Sequence, residues 1–350
     1  MPFLLYGATG YTGRLIADLA ASRGLRPTLA GRTADTLAAV ADATGLDSVV
    51  VSLDDPAALD RALAGVPLVL HAAGPFSQTA TPMVEACLRT GTHYLDVTGE
   101  IAVFEALAAR DAQARAAGIT VLPGTGFDVV PTDCLAAHLK ARLPSATELK
   151  LAIRALSSAS HGTAQTAVEN LGEGGAMRRD GRIVRVPAAH DTVEATFADG
   201  TTRRCVAIPW GDVSTAFHST GIPTITTFAS FPASTVRVMK ASNYIGPVLQ
   251  SAPVQTLLEG LVARRVTGPS PAEREQGASY VWGEVTDDAG GRAVATWAGP
   301  EGYAFTADAA LRSALAVLAG RAAPGFQTPA TAFGPDFALE MDGTARHDVV

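Results

Sequence analysis

The chain has 350 residues but only three lysines, Lys140, Lys150 and Lys240. Arginine supplies the rest of the 27 basic residues, against 34 acidic ones, for a net charge of −7. That balance, with no basic stripe to neutralise phosphates, excludes a nucleic-acid partner. Cysteine is scarce too. Cys87, Cys134 and Cys205 are far apart and form no CxxC, which excludes a zinc ribbon and a redox pair. The seven histidines show no HxxxH or HExxH spacing, so no metal is expected. No apolar run approaches the roughly 20 residues of a membrane span. The opening MPFLLYGATG carries no basic leader and no cleavable end, so it reads as a strand entering a turn. A reduced, cytoplasmic setting is expected. The chain shows no internal repeat and no low-complexity linker.

What is present is apolar substance: 47% of the residues, enough for two domains with cores of their own. The first third alternates short apolar runs with helical stretches. Strands are expected at Phe3–Tyr6, Pro27–Ala30, Ser48–Val51, Leu68–Leu70, His93–Leu95 and Thr120–Leu122. Helices are expected at Tyr11–Ser22, Ala34–Ala43, Pro56–Ala64, Pro82–Arg89 and, as one long element, Ala102–Ala117. This alternation implies an α/β fold: a Rossmann-type, doubly wound parallel sheet with helices on both faces.

The pattern changes near Pro123-Gly124-Thr125-Gly126. A helix over Thr132–Arg142 precedes runs with strand alternation at 148–155, 182–186, 192–197, 203–208 and 222–231. They suit a second, α+β and mostly antiparallel domain, interrupted by helices around Thr163–Leu171 and Val248–Leu261. A hairpin over 279–297 and a helix over Thr306–Leu318 complete it. The expected division is 1–125, 126–320 and a proline-bearing tail, 321–350, packed on the surface.

The most informative motif is Gly7-Ala8-Thr9-Gly10-Tyr11-Thr12-Gly13. It is GxxGxxG, directly after a strand and opening a helix. Gly7 would let the chain turn sharply, Gly10 would let backbone approach a pyrophosphate, and Gly13 would let helix pack on strand. The helix N-terminus offers N–H groups and a partial positive charge to phosphates. Without a ligand the same motif is a glycine-rich strand–helix turn. The second strand runs into Gly31-Arg32-Thr33, with no Asp or Glu for ribose hydroxyls. Arg32 can instead grip a 2′-phosphate, with Thr33 adding a hydroxyl, so NADP(H) is the expected cofactor. Asp54 follows the third strand, where such folds reach the adenine. His71-Ala72-Ala73-Gly74-Pro75-Phe76 follows the fourth, where the cofactor passes toward nicotinamide. Small residues there permit close approach, and His71 reads as a satisfied strand-end histidine. No tyrosine stands four residues before a lysine, which removes the Tyr-x-x-x-Lys of short-chain dehydrogenases.

Several stretches resemble the saccharopine dehydrogenase-like family, in the branch that includes bacterial trans-acting enoyl reductases. They are GATGYTGRL at 7–15, LAGRT at 29–33, HAAGPF at 71–76, HYLDVTGE at 93–100, LPGTGFDVVPTD at 122–133, SSASHGTAQT at 157–166 and PGFQTPATAFG at 324–334. The resemblance implies NADP use, a Rossmann domain and a second domain that supports a homodimer. It implies an NADPH-dependent reductase of an activated double bond, with enoyl C=C reduction the specific expectation and an acyl or lipid-like small molecule as substrate. A saccharopine-type C–N dehydrogenase, needing arginines such as Arg154 and Arg237 to clamp carboxylates, is the alternative. A non-catalytic NADPH sensor or scaffold is another.

For the chemistry, Asp96-Val97-Thr98-Gly99-Glu100 follows strand five and faces the cofactor crevice. Thr98 and Gly99 are placed against the cofactor. Glu100 is open to two readings, a catalytic group or a helix-start residue. Asp128 lies in an irregular loop between domains, whereas Asp133 reads as a first-turn residue. His161 stands where the family more often has glycine. It is either a general acid or a loop histidine beside an N-capping Thr163. Tyr303 is a further proton-donor candidate or a packing tyrosine.

Overall fold

The computed structural model describes residues 3–155, 164–165, 168, 171–265 and 268–349. The chain divides into two compact units, one of residues 1–130 with 303–334, the other of residues 131–302 with 335–350.

The first unit carries strands β1 (Leu4–Tyr6), β2 (Thr28–Gly31), β3 (Ser48–Val50), β4 (Leu68–His71), β5 (His93–Asp96) and β6 (Thr120–Leu122). Between them run helices α1 (Tyr11–Ser22), α2 (Ala34–Thr44), α3 (Pro56–Leu63), α4 (Phe76–Thr90), α5 (Ile101–Ala108) and α6 (Asp111–Ala117). The strands lie in the order 3-2-1-4-5-6, all parallel, so the topology reverses between β1 and β4. Ligands of open α/β sheets bind outside the strand ends at such a reversal. Strand alternation decides the two cores. Leu5, Leu29, Leu70 and Leu95 face α1 and α2, through Ile16, Ala20, Leu37 and Val40. Leu4, Tyr6, Val69 and Tyr94 face the other side, with Leu59, Met83, Val84 and Leu107.

Three expectations need correcting here. The helix predicted over 102–117 is two, α5 and α6, broken at Ala109–Arg110, where Arg110 leaves helical geometry and pairs with Glu85 at 3.0 Å. No glycine or proline marks that break.

The division at 320 also differs. The Gly302–Leu318 helix lies with the first unit from Tyr303 onward. Its stripe of Ala307, Ala310, Leu311, Ala314 and Val317 joins the core of β1 and α1. Asp308 ties it down through Arg23 at 2.5 Å and also pairs with Arg312 of the same helix at 2.9 Å.

The tail is no surface wrap. Gly325–Phe326 adds strand β15 beside β6, and Ala345–Val349 forms the last strand of the second sheet. Periodicity identifies the helix but carries no signal for which core receives it, and it marks neither tail strand.

The second unit is a mixed sheet. Its strands are β7 (Glu148–Ala155), β8 (Gly175–Arg179), β9 (Arg182–Val186), β10 (Thr192–Thr196), β11 (Thr202–Ala207), β12 (Thr224–Ala229), β13 (Ala278–Thr286), β14 (Arg292–Pro300) and β16 (Ala345–Val349). The main path runs 10-11-12-7-13-14-16, with β8 and β9 attached through β12. Pairing is antiparallel throughout except between β7 and β12. Helix α7 (Val130–Arg142) packs Leu135 and Leu139 onto Gly283, where a Cβ would meet Leu139 at 2.7 Å. Strand β8 and the Asp212–Thr220 helix escape the sequence pattern. The helix expected over 248–261 is two, Ala233–Leu249 and Ala252–Arg265. The helix expected over 163–171 lies largely outside the described residues.

Candidate functional site

The glycine turn after β1 is built as its spacing requires. Gly7 has φ +86°, a left-handed conformation costly for any side chain. A Cβ there would meet Ala73 N at 2.7 Å and Ala72 C at 2.8 Å. A Cβ on Gly13 would stand 2.1 Å from the Gly7 carbonyl oxygen, so α1 crosses the turn in direct backbone contact. Gly10 is the N-cap of α1, without a side-chain cap and with no acid in the first turn. Thr9 and Gly10 are exposed, Tyr11 and Thr12 half-buried, Ala8 buried. A cradle that a Cβ would fill, below a helix N-terminus with no internal anion, fits a pyrophosphate.

At the end of β2, Arg32 and Thr33 are exposed. The Tyr6 hydroxyl donates to the Val51 carbonyl at 3.2 Å. Burial raises the Tyr6 pKa, the Arg32 charge opposes that rise, and the Asp54 charge adds to it. Arg32 and Asp54 therefore both act on the Tyr6 hydroxyl at one end of strands β1 to β3. Ser52 Oγ donates to Asp54 at 3.1 Å. A cation without a neighbouring ribose-binding acid on β2 suits a 2′-phosphate.

The loop after β4 holds Ala72, Ala73 and a cis Gly74–Pro75 peptide. Thr79 Oγ1 donates to the Ala73 carbonyl at 2.6 Å, within reach of Pro75 O at 3.1 Å. Its proton is thereby used, so His71 Nε2, 3.0 Å away, is the donor to Thr79. His71 is fully buried, and burial pushes its pKa down to about 3, so the ring is neutral at working pH. It is a scaffold histidine for this loop.

The loops after β5 and β6 are tied by Asp96. Its Oδ2 accepts from Tyr94 at 2.7 Å, and its Oδ1 from Thr98 N–H at 3.0 Å and Gly124 N–H at 2.8 Å. Its carbonyl accepts from the N–H and the hydroxyl of Thr125. Burial raises this carboxyl to about 6 while those donors hold it down. Thr98 is buried, and its Oγ1 accepts from Glu100 N–H at 3.1 Å, so that oxygen serves the turn. Gly99 stands beside Asp128, whose Oδ2 would lie 2.7 Å from a Cβ there. A sliver of Asp128 reaches solvent, yet the surrounding protein pushes its carboxyl up to about 6. Glu100 accepts from Phe76 N–H and Ser77 N–H, at 2.9 and 2.8 Å.

Tyr303 meets the glycine loop across 292 positions of sequence. Its ring lies edge-on to Tyr11, 5.0 Å between centroids. The first unit thus holds the phosphate loop, Arg32, residues 72–75, 98–100, Asp128 and Tyr303. His161 lies outside the described residues. Among the described residues no cluster of three or more His, Cys, Asp or Glu could hold a metal ion. Nor is any described helix long and apolar enough to cross a membrane. Sequence reasoning placed Asp96 only within the crevice-facing segment, without its role as a tie between loops, and assigned no role to Thr79. A carboxylate at the last position of a buried strand was the available signal for the first.

Residues 3–122 match the family model described as the saccharopine dehydrogenase NADP binding domain. The match lies within the first unit, which is similar to that domain. NADP(H) is therefore its cofactor, and the glycine turn and Arg32 are the parts of this NADP-binding domain that fit it. A trans-acting enoyl reductase of Mycobacterium leprae is 36% identical over 138 residues, 37% of this chain and 33% of that relative. One from Mycobacterium ulcerans is 35% identical over 147 residues, 40% of this chain and 35% of the relative. The chain thus spans about a third of the length of these curated relatives. The apo saccharopine dehydrogenase (L-Glu forming) of Saccharomyces cerevisiae shares the fold. It aligns over 100% of both chains with a TM-score of 0.67 at 14% identity.

Proposed function

We propose that the protein is an NADPH-dependent reductase of an activated C=C bond, an enoyl reductase acting on an acyl or lipid-like small molecule. The observation that carries the reading is Arg32 at the end of β2, beside an uncapped, glycine-cradled helix N-terminus and with no ribose-binding acid. The names of the partial relatives support the enoyl assignment. When bound, NADPH supplies a hydride, which the electrophilic carbon of the substrate accepts. The neighbouring carbon then needs a proton. Asp128 is our choice of donor, because a carboxyl near pKa 6 holds a proton at mildly acidic pH and its solvent-facing edge allows reprotonation. Tyr303 is the second choice. The reading includes a homodimer in the cytoplasm, which sedimentation and localisation would test.

A saccharopine-type dehydrogenase is less well supported. Arg154 is committed to Asp199 and lies over the Phe197 and Tyr280 rings, at 5.1 and 4.4 Å. Arg237 bonds back to the Ala233 carbonyl of its own helix.

The test is fluorescence titration with NADPH and NADH, on the protein and on Arg32→Ala. NADPH should bind roughly tenfold tighter, and Arg32→Ala should erase the preference, as expected for one charge-assisted phosphate contact. Equal affinities would refute the 2′-phosphate role. NADPH oxidation on enoyl thioesters separates an enzyme from a sensor. Binding without turnover on enoyl, imine and carbonyl substrates would sink the reductase reading.

A further inference from the structure

Helix α4 starts badly by its own sequence. Its N-cap is Pro75, which has no side-chain oxygen to offer, and its first turn holds no acid. Yet its leading N–H groups are satisfied. Phe76 N–H donates to Glu100 Oε1 and Ser77 N–H to Oε2. Glu100 is formally the N-cap of α5 but makes no side-chain cap to α5. Its carboxylate reaches from the loop after β5 to the loop after β4 and supplies the negative group that α4 lacks. Thr79, on the first turn of α4, grips the same loop from inside through the Ala73 and Pro75 carbonyls. That loop in turn presses on Gly7, where a Cβ would collide with the Ala72–Ala73 peptide.

We propose that Glu100 is a positioning residue for the dinucleotide: its carboxylate caps α4 from the neighbouring loop and holds backbone 72–75 against the glycine turn. The inference rests on the NADP(H) reading of this site. It removes Glu100 from the acid–base groups, because both oxygens already accept backbone hydrogen bonds. Glu100 acts through the loop and touches neither substrate nor reacting atoms.

The experiment is NADPH titration of the full chain as Glu100→Ala and Glu100→Gln, each with and without millimolar sodium formate. Sodium chloride at equal ionic strength is the control. Loss of two charge-assisted bonds should weaken NADPH binding roughly tenfold or more in Glu100→Ala. Formate should restore much of it by occupying the two vacated N–H groups, and chloride should not. Glu100→Gln should fall between, because its amide can accept from one N–H but not from both. It carries the test if the alanine variant does not fold. Wild-type affinity in Glu100→Gln, or a loss that formate leaves untouched in both variants, overturns the proposal. So does unchanged NADPH affinity with a collapsed turnover. If the unmodified protein binds no NADPH, the cofactor reading fails and this inference falls with it.

Discussion

The carboxylate of Asp128 occupies the space that a side chain on Gly99 would need. A Cβ at residue 99 would sit 2.7 Å from Asp128 Oδ2 and 3.2 Å from its Cβ. Only glycine lets the crossover loop close onto the turn after β5. Gly99→Ala should therefore push Asp128 away at a stability cost of about 1–3 kcal/mol, the usual range for overpacking. NADPH binding should change less than turnover, because the phosphate loop is elsewhere. A Gly99→Ala variant with full turnover would show that the position of Asp128 is immaterial.

The pH profile tests Asp128 more directly. Burial lifts its carboxyl from an ordinary 3.8 to about 6. A proton donor must be protonated, so turnover should be highest below about pH 6 and fall above it. Asp128→Asn should abolish that limb and lower turnover by roughly 100-fold, while NADPH affinity stays within about twofold. A descending limb that survives in Asp128→Asn assigns the proton to another group, with Tyr303 next in line.

Much of this was legible in the sequence, and the reason is local. Gly7 and Gly13 declare their places by spacing, since backbone contact within one turn tolerates nothing larger at either. Arg32 declares itself by standing where an acid would otherwise be. The alternation Leu4, Leu5, Tyr6 assigns both faces of β1. What stayed hidden depends on contacts between distant segments. Tyr303 reaches Tyr11 because a helix near the C-terminus completes the first core. Glu100 caps a helix that begins 24 residues earlier in the chain. No periodicity encodes either event.

The Tyr11–Tyr303 pair separates packing from chemistry. The rings meet edge-on at 80° and 5.0 Å, a geometry worth about 0.5–1.5 kcal/mol beyond burial. If Tyr303 only packs, Tyr303→Phe should retain both NADPH affinity and turnover, and Tyr303→Ala should weaken NADPH binding by several-fold. If the hydroxyl donates the proton, Tyr303→Phe should keep NADPH affinity and lose turnover. The packing outcome is the expected one, and steady-state rates set beside Kd values decide it.

Asp96 should leave its mark on stability rather than on rate. Its carboxyl, ordinarily at 3.8, stands near 6 in the fold because burial outweighs three donors. A group with a raised native pKa contributes stability below its unfolded pKa and loses it as pH rises through the native one. Asp96 should therefore make the protein less stable between about pH 4 and pH 6, by up to roughly 3 kcal/mol. Asp128 acts in the same direction, so neither residue alone accounts for the slope. Asp96→Asn should remove its share and leave a shallower decline. The same variant keeps an oxygen for the Thr98 and Gly124 N–H groups but turns an amide N–H₂ toward the Tyr94 hydroxyl, which loses its acceptor, and this should lower stability by about 1–3 kcal/mol at every pH. Urea unfolding of both proteins across that range measures slope and offset together. An Asp96→Asn variant with the unmodified slope would mean that Asp96 stays ionised in its hydrogen-bond cage, and that the three donors, not burial, set its charge.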